Sequence, residues 1–324
     1  MPGNYLRPGM DHIKNSPNSP GSVPQVVMVL PEPNDINSFS PWEIDFRQVE
    51  AGEMETKVRV RAGRIVTLLN ISMSRAVHQT GVSPKGLFTF GVIRRNAVHV
   101  WQGQDTSASE LLSFGSSDPF DGVSATNFCG TTVSVKEHDV ELLADALGLG
   151  IPEKLRTSAK PAIFGQHERL AAIRKTLEGL NEGCGSSMTD GIEEEIVAGL
   201  LLAASSTDQH EDKSTPLIRS RAVSKTTELM LAHLDENVPI RHICREVGVS
   251  WRTLDRAFSE TFGVGPKKYY QRLRLNRVRS DLIRNADRCS ISDIANSWGF
   301  WHLGQFAKDY YRMFGETPSR TVAG

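Results

Sequence analysis

The stretch "WGFWHLGQFAKDYYRMFGETPS" (298–319) is dense in aromatic residues and ends in Gly and Pro, which interrupt helices. Part of it repeats an earlier segment, because "FAKDYYRMFGETP" (306–318) aligns with "LDRAFSETFGVGP" (254–266). Each matched residue lies 52 positions after its counterpart, which pairs Leu254, Phe258, Phe262, Gly263 and Pro266 with Phe306, Tyr310, Phe314, Gly315 and Pro318. The C-terminal part of the chain therefore contains a repeated unit.

The repeat continues upstream with an offset of 51 residues instead of 52. There the apolar residues and the glycine of the first copy match those of the second, which pairs Ile240, Ile243, Val247 and Gly248 with Ile291, Ile294, Trp298 and Gly299. The change of offset means that the second copy holds one additional residue in its turn.

Each copy has the pattern of two helices joined by a short turn. In the first copy, apolar residues recur at helical spacing over 240–247 and again over 254–262. Gly248 suits the left-handed position that ends a helix, and Ser250 suits the N-cap of the next. Pro266 prevents that second helix from continuing. The pattern predicts a helix-turn-helix, whose second helix can enter the major groove of DNA.

The segment "PKKYYQRLRLNRVRSDLIR" predicts a long basic helix over 266–284 that separates the two copies. We expect its Arg272, Arg274 and Arg277 to include contacts to DNA phosphates, with the remaining charges facing water. Phosphate contacts would make the affinity for DNA fall steeply as the salt concentration rises.

About the last hundred residues resemble the DNA-binding domain of the AraC/XylS family of bacterial transcription regulators. The resemblance rests on "ICREVGVSWRTLDRAFSETFGVGP", on "RLRLNRVRSDLI" and on the pattern I...A...GF.....F...Y...FG..PS of the second copy. More narrowly, "VSWRTLDRAF", "GVGPKKYYQRLRLNRVR" and "WGFWHLGQFAKDY" look like the ethanolamine-operon regulator branch. The resemblance implies a transcription regulator, more often an activator than a repressor.

The resemblance also implies which residues of the first copy contact DNA. Family proteins read bases from the positions that here hold Arg252, Asp255 and Arg256. Ser250 and Trp251, at the start of the same helix, are also expected to contact DNA. Arginine can donate two hydrogen bonds to guanine, worth ~1–3 kcal/mol of discrimination. Asp255 would accept from cytosine or orient one of the two arginines. The alternative is that these residues form a solvated helix face.

The second copy offers fewer hydrogen-bonding groups at the matching positions. They hold His302 in the cap position and then Leu303, Gly304, Gln305, Ala307 and Lys308. We expect this copy to contribute phosphate contacts and van der Waals contacts, including contacts with thymine methyl groups. Sequence preference is therefore predicted to be stronger in the half-site that the first copy reads.

The charge distribution divides the chain into a basic C-terminal third and an acidic remainder. Residues 217–324 hold 18 Lys and Arg against 11 Asp and Glu, a net charge of +7, while the rest of the chain carries −8. This split favours a nucleic-acid-binding end and an end with another task. We predict a disordered arm over 1–35, an effector-binding and dimerisation domain over 36–204, a linker over 205–216 and the DNA-binding domain over 217–324.

In the N-terminal two-thirds, the sequence pattern changes from that of short strands to that of helices. Short alternating or apolar runs between residues 40 and 135 predict strands, and helical periodicity appears at 137–148, 166–180 and 191–204. We therefore predict an α+β fold. The family resemblance implies a cupin-like β-barrel that binds a small effector and helices that form a homodimer. The apolar segment "EEEIVAGLLLAA" (193–204) would form a dimer helix or cover the barrel.

Candidate effector contacts lie on the predicted strands. The aromatic side chains that could line a barrel are those of Phe88, Phe90, Trp101 and Phe114, and Arg94 could meet an anionic ligand. Ordinary barrel core and solvated surface are the competing explanations. A regulator without any small ligand, controlled by its abundance or by a partner protein, is the second hypothesis, and a filled barrel interior would favour it.

An enzyme fused to a DNA-binding domain is the remaining hypothesis. Metal-binding cupins need clustered histidines, whereas His78 and His99 stand apart, and no Gly-rich phosphate loop or nucleophile motif is present. We predict no catalytic residue, metal or cofactor. The four cysteines are widely spaced, which fits a reducing cytoplasm. The expected partners are double-stranded DNA, a small effector, RNA polymerase and a second copy of the chain, without any membrane.

Overall fold

The computed structural model describes residues 25–95, 98–106, 110–115, 117, 119–151, 155, 162–164, 168–182, 188–205, 214–236, 238–285 and 288–323. The chain divides into two compact units. The first comprises the described residues within Met1–Phe46, Glu55–Ser74 and Gln79–Glu211. The second comprises those within Arg47–Met54, Arg75–His78 and Asp212–Gly324.

The strands form two sheets. The described part of the larger sheet has seven strands in the order β1-β3-β4-β11-β6-β9-β12, namely β1 (Gln25–Leu30), β3 (Thr56–Ala62), β4 (Val66–Met73), β6 (Leu87–Arg95), β9 (Leu111–Ser113), β11 (Phe128–Lys136) and β12 (Ala162–Phe164). The smaller has five in the order β2-β5-β10-β7-β8, namely β2 (Glu43–Gln48), β5 (Val77–Val82), β7 (Val98–Trp101), β8 (Gln104–Asp105) and β10 (Pro119–Ser124).

Three helices cover one face of the larger sheet: α1 (Glu137–Ala146), α2 (Glu168–Glu182) and α3 (Asp190–Ser205). Side chains alternate across a strand, so Phe88, Phe90 and Val92 of β6 all point toward these helices. Leu200 and Leu201 of α3 are fully buried in the same core. Of the two alternatives for the apolar segment 193–204, the structure shows a helix that covers the sheet.

The order of strands followed by helices confirms the predicted α+β fold, and α1, α2 and α3 match the three predicted helical segments within a few residues. The predicted disordered arm is shorter than expected. Residues 25–30 form β1, which pairs antiparallel with β3, and a 3₁₀ helix follows at Pro33–Ser38. The apolar run "VVMVL" (26–30) explains the difference, because Met28 and Leu30 bury their side chains. Residues 1–24 of that arm lie outside the described residues.

The predicted linker is also shorter than expected, because α4 begins inside it at Ser214. Residues 206–213 of the linker lie outside the described residues. The second unit contains the helices α4 (Ser214–Ala232), α5 (Ile240–Val247), α6 (Trp251–Phe262), α7 (Pro266–Asn285), α8 (Ile291–Ser297), α9 (Leu303–Phe314) and α10 (Pro318–Ala323).

The helix ends confirm the capping predictions. Gly248 ends α5 with φ 78°, and Gly263 and Gly315 end α6 and α9 with φ 69° and 77°. Ser250 caps α6 by accepting a hydrogen bond from the Thr253 backbone N–H at 3.1 Å. Each copy of the repeat is therefore a helix-turn-helix, formed by α5 with α6 and by α8 with α9.

Two short segments that precede the helices by more than 130 residues belong to the second unit, Arg47–Met54 and Arg75–His78. The Gln48 backbone N–H donates to Asn276 Oδ1 at 3.0 Å, and Asn276 Nδ2 donates to the Gln48 carbonyl at 3.0 Å. His78 Nδ1 lies 2.6 Å from the Tyr269 hydroxyl. The sequence predicts both segments in the N-terminal domain, because these partners are far apart along the chain.

Within the described part of the chain, no helix combines the length and the apolar character that crossing a membrane requires.

Candidate nucleic-acid interface

The second helix of each motif buries one face and exposes the other. Leu254, Phe258 and Phe262 of α6 are buried, and the repeat places Phe306, Tyr310 and Phe314 of α9 in equivalent positions in a second apolar cluster. The rings of Tyr310 and Phe314 have centroids 4.7 Å apart. The aromatic density of the C-terminal segment is therefore mostly core packing, and the opposite faces of α6 and α9 remain available to DNA.

Most of the residues predicted to contact DNA lie on those exposed faces. The exposed ones are Ser250, Trp251, Arg252, Arg256, His302, Leu303, Gln305 and Lys308. His302 occupies the N-cap position of α9, as predicted, but its side chain makes no capping hydrogen bond. Asp255 differs from the others because it is half-buried.

The Asp255 carboxylate points to the start of α7 instead of outward. Its Oδ1 lies so close to Gly265 that a Cβ at that position would approach it to 2.5 Å. A carboxylate at a helix N-terminus is favoured by the positive end of the helix dipole. The neighbouring Arg256 pairs with a different carboxylate, since its Nε donates to Glu260 Oε1 at 2.7 Å, and this ion pair raises the Arg256 pKa.

The arginines of the connecting helix α7 are partly enclosed. The Arg274 guanidinium lies over the Tyr270 ring at 4.9 Å and faces the Phe300 ring at 5.6 Å. Burial lowers the pKa values of Arg274 and Arg272, and the Nε atoms of both are buried without a hydrogen-bond partner. Arg277 is half-buried. Arg274 therefore packs between aromatic rings within the unit, although its role as a phosphate contact stays a prediction.

Side-chain hydrogen bonds fix the second motif on α7. Gln271 Nε2 donates to Asp309 Oδ2 at 2.9 Å, and Trp298 Nε1 donates to Asp281 Oδ2 at 2.7 Å. Because α6 leads directly into α7, the two recognition helices hold a defined relative orientation.

A depression of about 770 Å³ lies between the two motifs. Its lining includes Trp251 and Asp255 from the first motif and Trp301, His302 and Gln305 from the second. The start of α7 contributes further lining residues, among them Lys267, Lys268, Gln271 and Arg274. The structure thus brings predicted residues of both copies to one surface, which also carries several cationic groups.

Sequence reasoning missed Trp301, Lys267 and Lys268 as components of this surface. A signal for Trp301 was present, because the second turn has one residue more than the first. The two lysines follow Pro266 at the start of α7. Exposed charged residues do not recur with the period of a helix, so the sequence pattern does not single them out.

The aromatic residues predicted to bind an effector do not line one site. Phe88 and Phe90 lie in the core beneath α1, α2 and α3. Trp101 and Phe114 belong to a separate aromatic cluster with Trp42 and Phe120, with ring centroids 4.8–6.0 Å apart.

The alternation of β6 explains this separation. A Cβ on Gly91 would approach the Phe114 ring to 3.2 Å, so Phe114 packs on the face of β6 opposite to Phe88 and Phe90. Trp101 is fully buried, yet its indole Nε1 has no hydrogen-bond partner among the described residues. The side chain of Arg94 lies outside the described part of the structure.

The described residues contain no group of three or more His, Cys, Asp or Glu side chains that could hold a metal ion. His78 is buried against Tyr269 and Phe262, with the ring centroids 6.0 and 5.2 Å away. The side chain of His99 lies outside the described residues.

Residues 243–324 match the family model of a helix-turn-helix domain. The repeat, the caps and this match define the C-terminal part as a helix-turn-helix DNA-binding domain. The chain is 32% identical over 133 residues to the probable thc operon regulatory protein of Rhodococcus erythropolis, covering 39% of each chain. It is 32% identical over 99 residues to the XylDLEGF operon transcriptional activator of Pseudomonas putida, covering 30% of this chain and 31% of the relative. The C-terminal domain is therefore similar in sequence to parts of known operon regulators.

One solved structure of an AraC-type transcriptional regulator, from Chromobacterium violaceum, is 35% identical to this chain. The match covers 32% of this chain and 89% of that chain, with a TM-score of 0.30. The curated relatives named above are transcriptional regulators, and this chain spans about a third of their length.

Proposed function

We propose that this protein is a sequence-specific DNA-binding transcription regulator that acts as an activator. The observation that carries the proposal is the pair of helix-turn-helix motifs, whose recognition helices expose their polar faces toward one surface. The net charge of +7 over residues 217–324 favours an anionic partner. The curated relatives, which are operon regulators, support the same function.

The first motif reads bases and the second mainly holds the DNA backbone. Arg252 and Arg256 are exposed on α6, and arginine is the commonest side chain in specific contacts to guanine. Arg256 reaches a base by exchanging its ion pair with Glu260 for the guanine contact. On α9, Lys308 is exposed and contacts phosphate. A homodimer would present two such units to half-sites in major grooves about one turn apart, ~34 Å.

A small effector bound to the β-rich unit controls the DNA-binding unit in this proposal. The buried Trp101 indole N–H finds no partner among the residues that the structure describes, and such a donor favours a bound acceptor group. The coupling between two such sites is typically ~1–3 kcal/mol. RNA polymerase is the partner of the activator, and the cytoplasm is its compartment. Membership of the ethanolamine-operon branch rests on the C-terminal motifs alone and carries no ligand with it.

A regulator without a small ligand is the second candidate. The rings of Trp42, Trp101, Phe114 and Phe120 pack against one another and fill the space between their strands, which favours this candidate. In either case the proposal assigns the protein no catalytic activity, in keeping with its operon-regulator relatives.

The proposal is tested by fluorescence anisotropy with the promoter region beside this protein's own gene and with random DNA of equal length. We expect the wild type to prefer the promoter and Arg256→Ala to lose most of that preference, about ten- to hundredfold for one bidentate contact. Lys308→Ala should weaken binding to both DNAs alike and reduce the salt dependence. A wild type that binds both DNAs equally would contradict sequence-specific binding, and an Arg256→Ala variant that still discriminates would remove Arg256 from the reading residues.

A further inference from the structure

Trp301 is the residue by which the second helix-turn-helix exceeds the first. Between the helix-ending Gly248 and Trp251, the first residue of α6, the chain has two residues. Between Gly299 and Leu303, the first residue of α9, it has three. The two glycines have nearly the same φ, 78° and 79°, so the turns begin alike and differ in the inserted residue.

The residues on either side of Trp301 join the turn to the core and to the start of α9. Phe300 packs against the core cluster of the second motif, with its ring centroid 5.3 Å from that of Phe306. His302 occupies the N-cap position of α9. Trp301 stands between them with 71% of its surface exposed, and its indole makes no hydrogen bond or ring contact with the described residues. The fold of the motif therefore buries little of this side chain.

An indole left in water at this position is suited to burial against a partner. Tryptophan carries a large apolar surface, and its burial is among the strongest contributions to binding. Trp301 lines the depression between the two motifs, together with Trp251 and the cationic start of α7. The partner that approaches this surface is therefore anionic overall and presents apolar groups to the indole.

The exposed surface of α9 indicates which chemical group of the DNA the Trp301 indole would contact. The residues facing outward beside Trp301 include Leu303, Gly304 and Ala307, which cannot donate or accept hydrogen bonds with their side chains. In the major groove, the thymine C5-methyl group is the feature that an apolar surface distinguishes.

We propose that Trp301 is a specificity-determining residue of the second motif and that its indole packs on a thymine methyl group in the half-site contacted by α9. This inference rests on the proposed DNA-binding function. It assigns the preference for a base in that half-site to an inserted aromatic residue and not to hydrogen bonds from α9.

The test begins with duplexes enriched from a random library by the full-length wild-type chain. Each thymine of the enriched sequence is then replaced by deoxyuridine, which lacks the methyl group and keeps the base pairing. We expect the wild type to lose about fourfold in affinity at one or two positions in one half-site, the effect of one buried methyl group. Trp301→Ala should bind the thymine duplex at least as weakly as the wild type binds the deoxyuridine duplex. The variant should not distinguish thymine from deoxyuridine at those positions.

Two further variants separate a direct contact from a general loss of binding. Trp301→Phe retains an aromatic ring and should keep part of the discrimination. Tyr311→Ala removes another exposed aromatic residue of α9, 57% exposed and outside the depression, and should keep all of it. Circular dichroism melting of each variant should match the wild type, because neither side chain is buried.

The outcomes distinguish this inference from the function on which it rests. A wild type that enriches no sequence overturns the proposed function and the inference together. A wild type that enriches a sequence but tolerates deoxyuridine at every thymine overturns the inference alone. The same holds if Trp301→Ala retains the wild-type difference between thymine and deoxyuridine.

Discussion

At the scale of single residues, the pair of Asp255 and Gly265 shows how a predicted base contact can serve the fold. The position of Asp255 on α6 predicts that it faces DNA, and the structure instead turns its carboxylate toward the start of α7. A side chain at position 265 would displace the carboxylate, so Gly265 is favoured there by the available space and not by a strained backbone. The role of Asp255 in base reading stays a prediction, whereas its contact with Gly265 has a direct test.

Gly265→Ala is expected to reduce the free energy of unfolding by about 1 kcal/mol in the wild type, because the added Cβ displaces the Asp255 carboxylate. In the Asp255→Ala background the same substitution should cost close to nothing, giving a coupling of about 1 kcal/mol. Urea unfolding of the four chains measures this cycle. Gly304→Ala is the control, because its added Cβ meets no atom within 4 Å. Equal costs in both backgrounds would show that another group opposes the Cβ.

At the scale of secondary-structure elements, one buried carboxylate joins α3 to the connection between β3 and β4. Glu193 is 1% exposed, and its two oxygens accept hydrogen bonds from the backbone N–H groups of Arg64, Ile65 and Val66 at 2.7–2.9 Å. Gly63 precedes this turn, and a Cβ there would approach Glu193 Oε1 to 2.5 Å. The helix and the turn are 128 residues apart in sequence at Ile65, so periodicity alone did not pair them.

Glu193→Ala should destabilise the β-rich unit by about 3 kcal/mol, because it leaves three backbone donors without their acceptor. Its neighbour Glu194 provides a matched control, since its carboxylate is exposed and reaches only Arg64 at 3.7 Å. Glu194→Ala is expected to cost less than about 1 kcal/mol. Thermal unfolding followed by circular dichroism compares the two variants. Similar losses for both would mean that water replaces the Glu193 carboxylate at these donors.

At the scale of the whole molecule, the two compact units do not coincide with one cut in the sequence. The change of charge sign and the polar segment near residue 210 predict a single boundary there, and the last segment of the helical unit starts at Asp212. The segments Arg47–Met54 and Arg75–His78 depart from it, since they belong to the helical unit. Backbone groups of Arg47–Met54 pair with α7 and α9, as when the Gly52 N–H donates to the Met313 carbonyl at 2.9 Å, and the His78 side chain of the other segment contacts Tyr269 of α7.

Asn276→Ala tests how much the segment Arg47–Met54 contributes to the stability of the helical unit. The substitution removes both hydrogen bonds to Gln48, and we expect a loss of about 1–3 kcal/mol in the unfolding of that unit. Lys267→Ala, an exposed change on the same helix, should leave it unchanged. Denaturant unfolding of the full-length chain, with the tryptophan fluorescence as the signal, measures both. An Asn276→Ala variant with the wild-type midpoint would show that the two hydrogen bonds between Asn276 and Gln48 contribute nothing to the stability of this unit.

The sequence by itself determined the features whose causes lie within a few residues. The stripe over 240–247, the glycine that ends each helix and the cap at Ser250 are local, and all appear in the structure as predicted. The offset between the copies was equally visible, because a repeat is a property of the sequence itself.

Only the tertiary structure decided which distant groups meet. It turned Asp255 inward, enclosed Arg274 between two rings, and placed Phe90 and Phe114 on opposite faces of β6. The tertiary structure also adds residues 47–54 and 75–78 to the unit that otherwise begins near residue 212. The physical reason is that capping and periodicity depend on neighbouring backbone groups, whereas burial and side-chain pairing depend on which surfaces the folded chain brings together.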